Sequence, residues 1–248
     1  RILDTPGLRL RGYHAHIGSQ VFALEPFVVT VERLCVFARE IAERYGVLPE
    51  EISPGGGLAI PYVPEDQEIE IDAFVRAVAE ALRSSAGHVG LPLPRLGLEP
   101  GRSIVGPAGV AVYRIGSIKE IPGIRRYVSV DGGMADNIRP ALYGARYSAA
   151  LANRDGPAEA VVTIVGKYCE SGDVLVQDVR LPEPRVGDLV AIPAAGAYCL
   201  AMASNYNLAM RPAVVLVRDG EARLMQRRER LEDLLRRETD WVLGQTPG

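Results

Sequence analysis

Short strand-like runs alternate with amphipathic helical segments over the first hundred residues. This alternation restricts the fold most, because parallel strands can be joined only through a crossover of a dozen or more residues, usually a helix. The clearest helix is predicted over 26–45, where Phe27, Val31, Leu34, Cys35, Ala38, Ile41, Ala42 and Tyr45 keep a 3.6-residue period. A second stretch sets Ile71, Phe74, Val75, Val78 and Leu82 against Asp72, Arg76 and Glu80. Each strand ends in a Gly- or Pro-bearing turn: HIGSQ at 16–20, SPGGGL at 53–58 and EPGR at 99–102. Such turns, at the carboxyl ends of parallel strands, are where an α/β barrel builds its active site.

After about residue 108 the texture changes. VAVYRIGSI, RRYVSVDGG, AVVTIVG, DVLVQDV and DLVAIP are short runs with β-forming residues, and they predict a second, all-β domain. The expected fold class is α/β plus all-β: an α/β part over 1–108, then a β-rich, barrel- or sandwich-like domain over 109–248 with a terminal helix. PAVVLVRDGEARLMQ reads as a hairpin turning at Asp219-Gly220. RERLEDLLRRE reads as a charged helix supported by (i, i+4) pairs, its arginines a solvated face.

Charge and cysteine usage exclude several functions. Twenty-eight Lys plus Arg against 31 Asp plus Glu leave a formal charge of -3. The basic excess that neutralises a phosphate backbone is missing, so nucleic acid is not an expected partner. No run of about 18 apolar residues exists and RILDTPGLRLRGY has no apolar signal region, so a cytoplasmic protein with no membrane partner is expected. Cys35, Cys169 and Cys199 are odd in number and form no CxxC pair, against a disulfide framework or a structural zinc cluster.

His14 and His16 lie two apart on an apparent strand and point the same way, a spacing with which two imidazoles share a metal ion in some barrel hydrolases. The only other histidine is His88, in a polar turn after the second helix, so carboxylates would have to complete such a site. The plainer reading of His14 is an inward-facing strand residue with its hydrogen bonds met. His16 sits just before Gly18-Ser19, where an imidazole face could cover a planar ring while hydroxyl and backbone N–H groups suit an anion. Gly55, Gly56 and Gly57 let backbone N–H groups approach phosphate oxygens, or simply make a tight turn. Glu99 and Arg102 put an acceptor and a cation in one Pro-Gly turn; alone, that tetrapeptide would be an ion pair at a helix start. Arg139 and Tyr143, four apart, could hold a carboxylate together, or form a plain surface pair. Cys169 stands beside Glu170 and Asp173, and neighbouring negative charge keeps a thiol protonated, which suits a proton donor better than a nucleophile.

Taken together and in order, HAHIGSQ, SPGGGLAIPY, EPGRSIVGPAG, DGGMADNIRPALY, KYCESGD and GAYCLAMASNYN resemble the motif set of the diaminopimelate decarboxylases. These are pyridoxal 5'-phosphate enzymes of the alanine racemase and ornithine decarboxylase fold group, a (β/α)8 barrel followed by a β domain. The resemblance implies that 1–108 is the carboxyl-terminal part of such a barrel. It also implies decarboxylation of meso-2,6-diaminopimelate to L-lysine, with the cofactor's ring accepting the electrons left by departing CO2. In the implied site His16 stacks on that ring, Ser19, Gly55, Gly56, Gly57 and Gly101 bind the phosphate, and Glu99 pairs with the ring nitrogen. Arg102, beside the cofactor, joins Arg139 and Tyr143 in taking substrate carboxylate. Glu170 takes the distal amine, Tyr198 reaches cofactor and substrate, and Cys169 donates the proton. The family supplies CESGD from the partner subunit, which implies a homodimer with shared active sites. Diaminopimelate carries an amine and a carboxylate at its far end, which suits Arg139 with Glu170, whereas ornithine and lysine have only an amine there.

The family's imine-forming lysine lies in a segment with no counterpart here. Lys119 and Lys167, the only lysines, fall in a β-domain strand and just before CESGD. Three barrel strands are visible where eight close a barrel, a shortfall of roughly 150 residues in a barrel of about 250. The chain is therefore expected to be the carboxyl-terminal part of a longer enzyme and inactive alone. A decarboxylase of a related basic amino acid or of carboxynorspermidine, and an inactive paralogue that binds or regulates, are the alternatives. Retention of Cys169, Glu99 and the arginines argues against the paralogue.

Overall fold

The computed structural model describes residues 1–239, which gather into two compact units, Arg1–Gly109 and a second that begins at Val110. In the first, β1 (Gly12–His14), α1 (Glu25–Tyr45), β2 (Glu51–Ser53), α2 (Ile71–His88), β3 (Arg95–Leu96) and the single turn α3 (Arg102–Val105) follow in chain order. The strands form a parallel sheet, β1-β2-β3, with His14 opposite Ser53 and Ile52 opposite Leu96. Helices α1 and α2 are the crossovers that parallel pairing demands.

Helix α1 opens with Pro26 in its first turn, where a missing N–H is no loss, and stops at Gly46, whose φ of 70° is left-handed. Phe27, Val31, Cys35 and Ala38 of α1 meet Phe74, Val78, Ala81 and Leu82 of α2 around Ile52 and Leu58. The rings of Phe27 and Phe74 cross edge to face at 4.9 Å. Burying side chains of this size stabilises by roughly 1.5–3 kcal/mol each. Tyr45 and Ile71, expected on the apolar stripes, are terminal residues of their helices and stay exposed, as does Val75. His88 is the last residue of α2, not part of a turn beyond it.

The second unit contains β4 (Ala111–Ile121), β5 (Arg125–Val130), the one-turn α4 (Arg139–Tyr143), β6 (Ala150–Leu151), β7 (Ala160–Val165), β8 (Val174–Leu181) and β9 (Leu189–Ile192). The hairpin β10 (Val214–Arg218) and β11 (Glu221–Gln226) and the short α5 (Leu231–Leu235) follow. Six strands make one sheet, β6-β9-β4-β5-β7-β8, antiparallel except where β5 lies beside β7. Strand β4 serves two neighbours, β9 with its first half and β5 with its second. Its register shifts between Ile115 and Ser117, a bulge that re-aims the strand. Ile115, Val128, Val162, Ile164, Leu175, Val190 and Ile192 are buried. The hairpin turns through Asp219 (φ 51°) and Gly220 (φ 78°), the paired left-handed geometry that matches strand twist.

The expected terminal helix is shorter than its charge pattern suggests. Asp233 accepts the backbone N–H of Arg230 at 2.8 Å and the guanidinium of Arg227 at 2.6 Å. Its carboxylate therefore caps α5 instead of making an (i, i+4) pair. Among the described residues no helix is long and apolar enough to cross a membrane.

Candidate active site

In the first unit the three strand-end turns are stitched into one surface. Ala15 N–H donates to Ser53 O at 3.0 Å, Gly97 to Ile52 O at 2.9 Å, Glu99 to Gly55 O at 3.0 Å and Val21 to Gly57 O at 3.0 Å. The three glycines permit this approach. A Cβ on Gly55 would lie 2.8 Å from Ala15 O, one on Gly56 would strike Glu99 O, and one on Gly57 would strike Gly18 O. Gly55 and Gly57 also adopt φ of 77° and 101°.

Two of their donors are engaged within the turns. Gly55 N–H donates to Ser53 Oγ at 3.1 Å and Gly56 N–H to His16 Nδ1 at 3.4 Å. In the second bond His16 Nδ1 is the acceptor. Among the described residues, the N–H groups of Ser19, Gly57 and Gly101 have no acceptor. These three, with other N–H groups of the turns such as those of Gly18 and Gln20, are able to receive an anion.

Glu99 and Arg102 diverge, so their turn is not a helix-start ion pair. The Glu99 carboxylate accepts the Ser53 hydroxyl at 3.4 Å, and its Oε2 lies 3.2 Å from His14 Nε2 in an ion-pair contact. Arg102 is buried, donates to Ser19 Oγ at 2.8 Å and to the Tyr62 hydroxyl, and lies over the Tyr62 ring. The His14 side chain is half exposed rather than inward. Among the described residues no cluster of three or more His, Cys, Asp or Glu could hold a metal ion.

Two contributors escaped the sequence reading. Tyr62 anchors Arg102, and Gln20 clamps the 57–62 segment by donating to Ile60 O at 3.0 Å and accepting Ile60 N–H at 3.1 Å. Both stand inside motifs already singled out, but an amide copying a strand pair has no signature in residue type alone.

In the second unit Arg139 and Tyr143 occupy opposite ends of α4 and do not form a clamp. Arg139 is buried, donates to the Tyr147 hydroxyl and lies over its ring, whereas Tyr143 is 64% exposed. This also removes the surface-pair reading. Tyr147 stands 3.4 Å from Cys199 Sγ, and burial pushes its phenol well above the usual range. Cys169 is exposed and its thiol donates to Glu170 Oε1 at 3.4 Å. The Tyr206 hydroxyl donates to the same oxygen, which holds the Glu170 carboxyl below its usual range. Glu170 Oε2 is buried and has no partner among the described residues.

Asp173 does not flank the thiol as expected. It is buried, accepts Met134 N–H at 2.7 Å and Tyr168 N–H at 2.8 Å, and joins two loops; desolvation pushes its carboxyl up. Gly133 and Gly166 leave the room it fills. Tyr198 is exposed and held at φ 62°, a left-handed conformation uncommon outside glycine. Lys119 lies within β4, and Lys167 sets its ammonium over the Tyr168 ring.

Over residues 19–196 the chain matches the family described as "Pyridoxal-dependent decarboxylase, C-terminal sheet domain". It is 44% identical over 245 residues to diaminopimelate decarboxylase of Bacillus subtilis (strain 168), covering 98% of this chain and 56% of that protein. With diaminopimelate decarboxylase of Actinosynnema pretiosum subsp. auranticum it shares 48% identity over 240 residues, 96% of this chain and 53% of that one. The crystal structure of diaminopimelate decarboxylase from M. jannaschii in co-complex with L-lysine is similar at a TM-score of 0.89 and 34% identity, over 96% of this chain and 54% of that chain. The chain spans about half the length of the curated relatives it matches.

Proposed function

The chain belongs to the pyridoxal-dependent decarboxylase family, and from that premise we propose that it serves the decarboxylation of meso-2,6-diaminopimelate to L-lysine. In this reading residues 1–108 are the carboxyl-side part of a (β/α)8 barrel and 109–248 the β domain. The whole is a longer, cytoplasmic, homodimeric enzyme. Parallel strands with helical crossovers, and coverage of about half of each relative, support that division.

The observation that carries the reading is the strand-end surface, where one set of turns offers what a phosphorylated pyridine needs. Ser19, Gly57 and Gly101 supply N–H donors for the phosphate, with Gly55 and Gly56 shaping the turn that presents them. His16 would stack on the ring and Glu99 would pair with the ring nitrogen. When bound, pyridoxal phosphate supplies the sink for the electron pair released with CO2. Arg102 braces Ser19 and Tyr62 at this surface, and Arg102, Arg139 and Tyr143 would each take substrate carboxylate.

Glu170 holds an unpartnered, buried Oε2, an acceptor suited to the distal ammonium of the substrate. Cys169, whose Sγ donates to Glu170 Oε1, would deliver a proton to the carbon that has lost CO2. Tyr198 reaches cofactor and substrate. The Cys169–Glu170 segment is contributed by the partner subunit.

The test is CO2 release by the full-length polypeptide from meso-diaminopimelate, ornithine and arginine, each supplied separately. Release from diaminopimelate is expected to exceed the others at least a hundredfold in kcat/KM, about 3 kcal/mol of discrimination. Equal or faster release from ornithine or arginine overturns the substrate assignment.

A further inference from the structure

We propose that His14 is a positioning residue: with the Ser53 hydroxyl it fixes the Glu99 carboxylate in the orientation that meets the cofactor's ring nitrogen. The inference rests on the reading of Glu99 as the partner of that nitrogen. Packing alone does not account for a histidine here. Tyr13 makes the contact of β1 with α1, its ring 5.2 Å from that of Phe37, while the His14 side chain is 48% exposed.

Strand register supplies the geometry. His14 and Ser53 are direct partners across β1 and β2, so two polar side chains stand side by side at the strand ends, and Glu99 follows β3 by three residues. Each faces a different oxygen, Ser53 Oγ donating to Oε1 at 3.4 Å and His14 Nε2 standing 3.2 Å from Oε2. The Ser53 oxygen also receives Gly55 N–H at 3.1 Å, which leaves its proton for Glu99. The Glu99 backbone is pinned by its own N–H to Gly55 O at 3.0 Å. A glutamate side chain 59% exposed would otherwise rotate broadly about its last torsion. A charge aimed before the reaction stabilises more than the same charge left mobile.

Four variants of the full-length holoenzyme test this. Glu99→Ala is expected to lower kcat about a hundredfold, and His14→Phe about tenfold with KM and cofactor content within about twofold. His14→Gln, whose amide N–H lies near the Nε2 position, is expected to recover most of the loss. The double variant Glu99→Ala with His14→Phe is expected to be no slower than Glu99→Ala alone. Independently of turnover, the His14 ring-nitrogen NMR shifts of the cofactor-free protein are expected to move in Glu99→Ala, and unmoved shifts would show that the two side chains do not interact. If Glu99→Ala keeps its rate, the ring-nitrogen reading fails and the inference falls with it. If Glu99→Ala is slow while His14→Phe is not, or if the two losses multiply, His14 has no positioning role and the reading of Glu99 stands.

Discussion

A single methyl group separates a tolerated from a forbidden residue at position 56. Its Cβ would meet the carbonyl oxygen of Glu99, a backbone atom that also belongs to the site. Gly56→Ala is expected to lower unfolding free energy by about 2 kcal/mol, the usual cost of overpacking, and to lower cofactor occupancy in parallel. Gly87, inside α2, has nothing within 4 Å of its Cβ position. Gly87→Ala is therefore expected to stabilise by up to about 1 kcal/mol through helix propensity, with occupancy unchanged. Urea denaturation and bound-cofactor absorbance of both variants check the pair. Equal effects at the two positions would remove the steric argument.

At the scale of elements, what the amino-acid pattern discloses depends on whether the physics is local. Helix α1 was legible because its 3.6-residue stripe and its Gly46 stop are properties of neighbouring residues. The hairpin at Asp219-Gly220 was legible for the same reason. The strand-end turns could be recognised as a site, but not how their groups divide between holding the fold and facing a ligand. The donor of Gly56, the outward turn of Tyr143 and the inward turn of Asp173 are set by partners forty or so residues away or by burial. The start of α5 at Leu231 is set by Asp233 spending its carboxylate as a cap, a choice that charge pattern alone leaves open.

Outside the site, Asp188 ties the strand β9 start to its surroundings. It accepts from Arg154 Nη2 at 2.8 Å, Asn153 Nδ2 at 3.2 Å and Arg185 N–H at 2.8 Å, which draws its carboxyl from an ordinary 3.8 down to about 2. A carboxyl with a lowered folded-state value stabilises above its unfolded value and loses that contribution as pH falls through the folded one. Wild type is expected to exceed Asp188→Ala in stability by about 3 kcal/mol near neutrality. The margin should hold down to about pH 4 and shrink to little by about pH 2. A pH-independent difference in denaturation midpoint would show that the ion pair is not its source.

For the whole molecule, the family and the strand-end geometry point the same way. A cation, a carboxylate, an imidazole and glycine-shaped turns meet at the carboxyl ends of three parallel strands, in a chain that covers about half of each curated relative. The central claim is that these turns hold pyridoxal phosphate. Its most direct measurement is cofactor stoichiometry after reconstitution of the full-length polypeptide, read from the visible absorption of the bound group. One cofactor per chain is expected for wild type, with a loss of about tenfold or more in affinity when Ser19→Ala and Arg102→Ala are combined. Undiminished stoichiometry and affinity in that double variant would place the cofactor elsewhere and contradict the account.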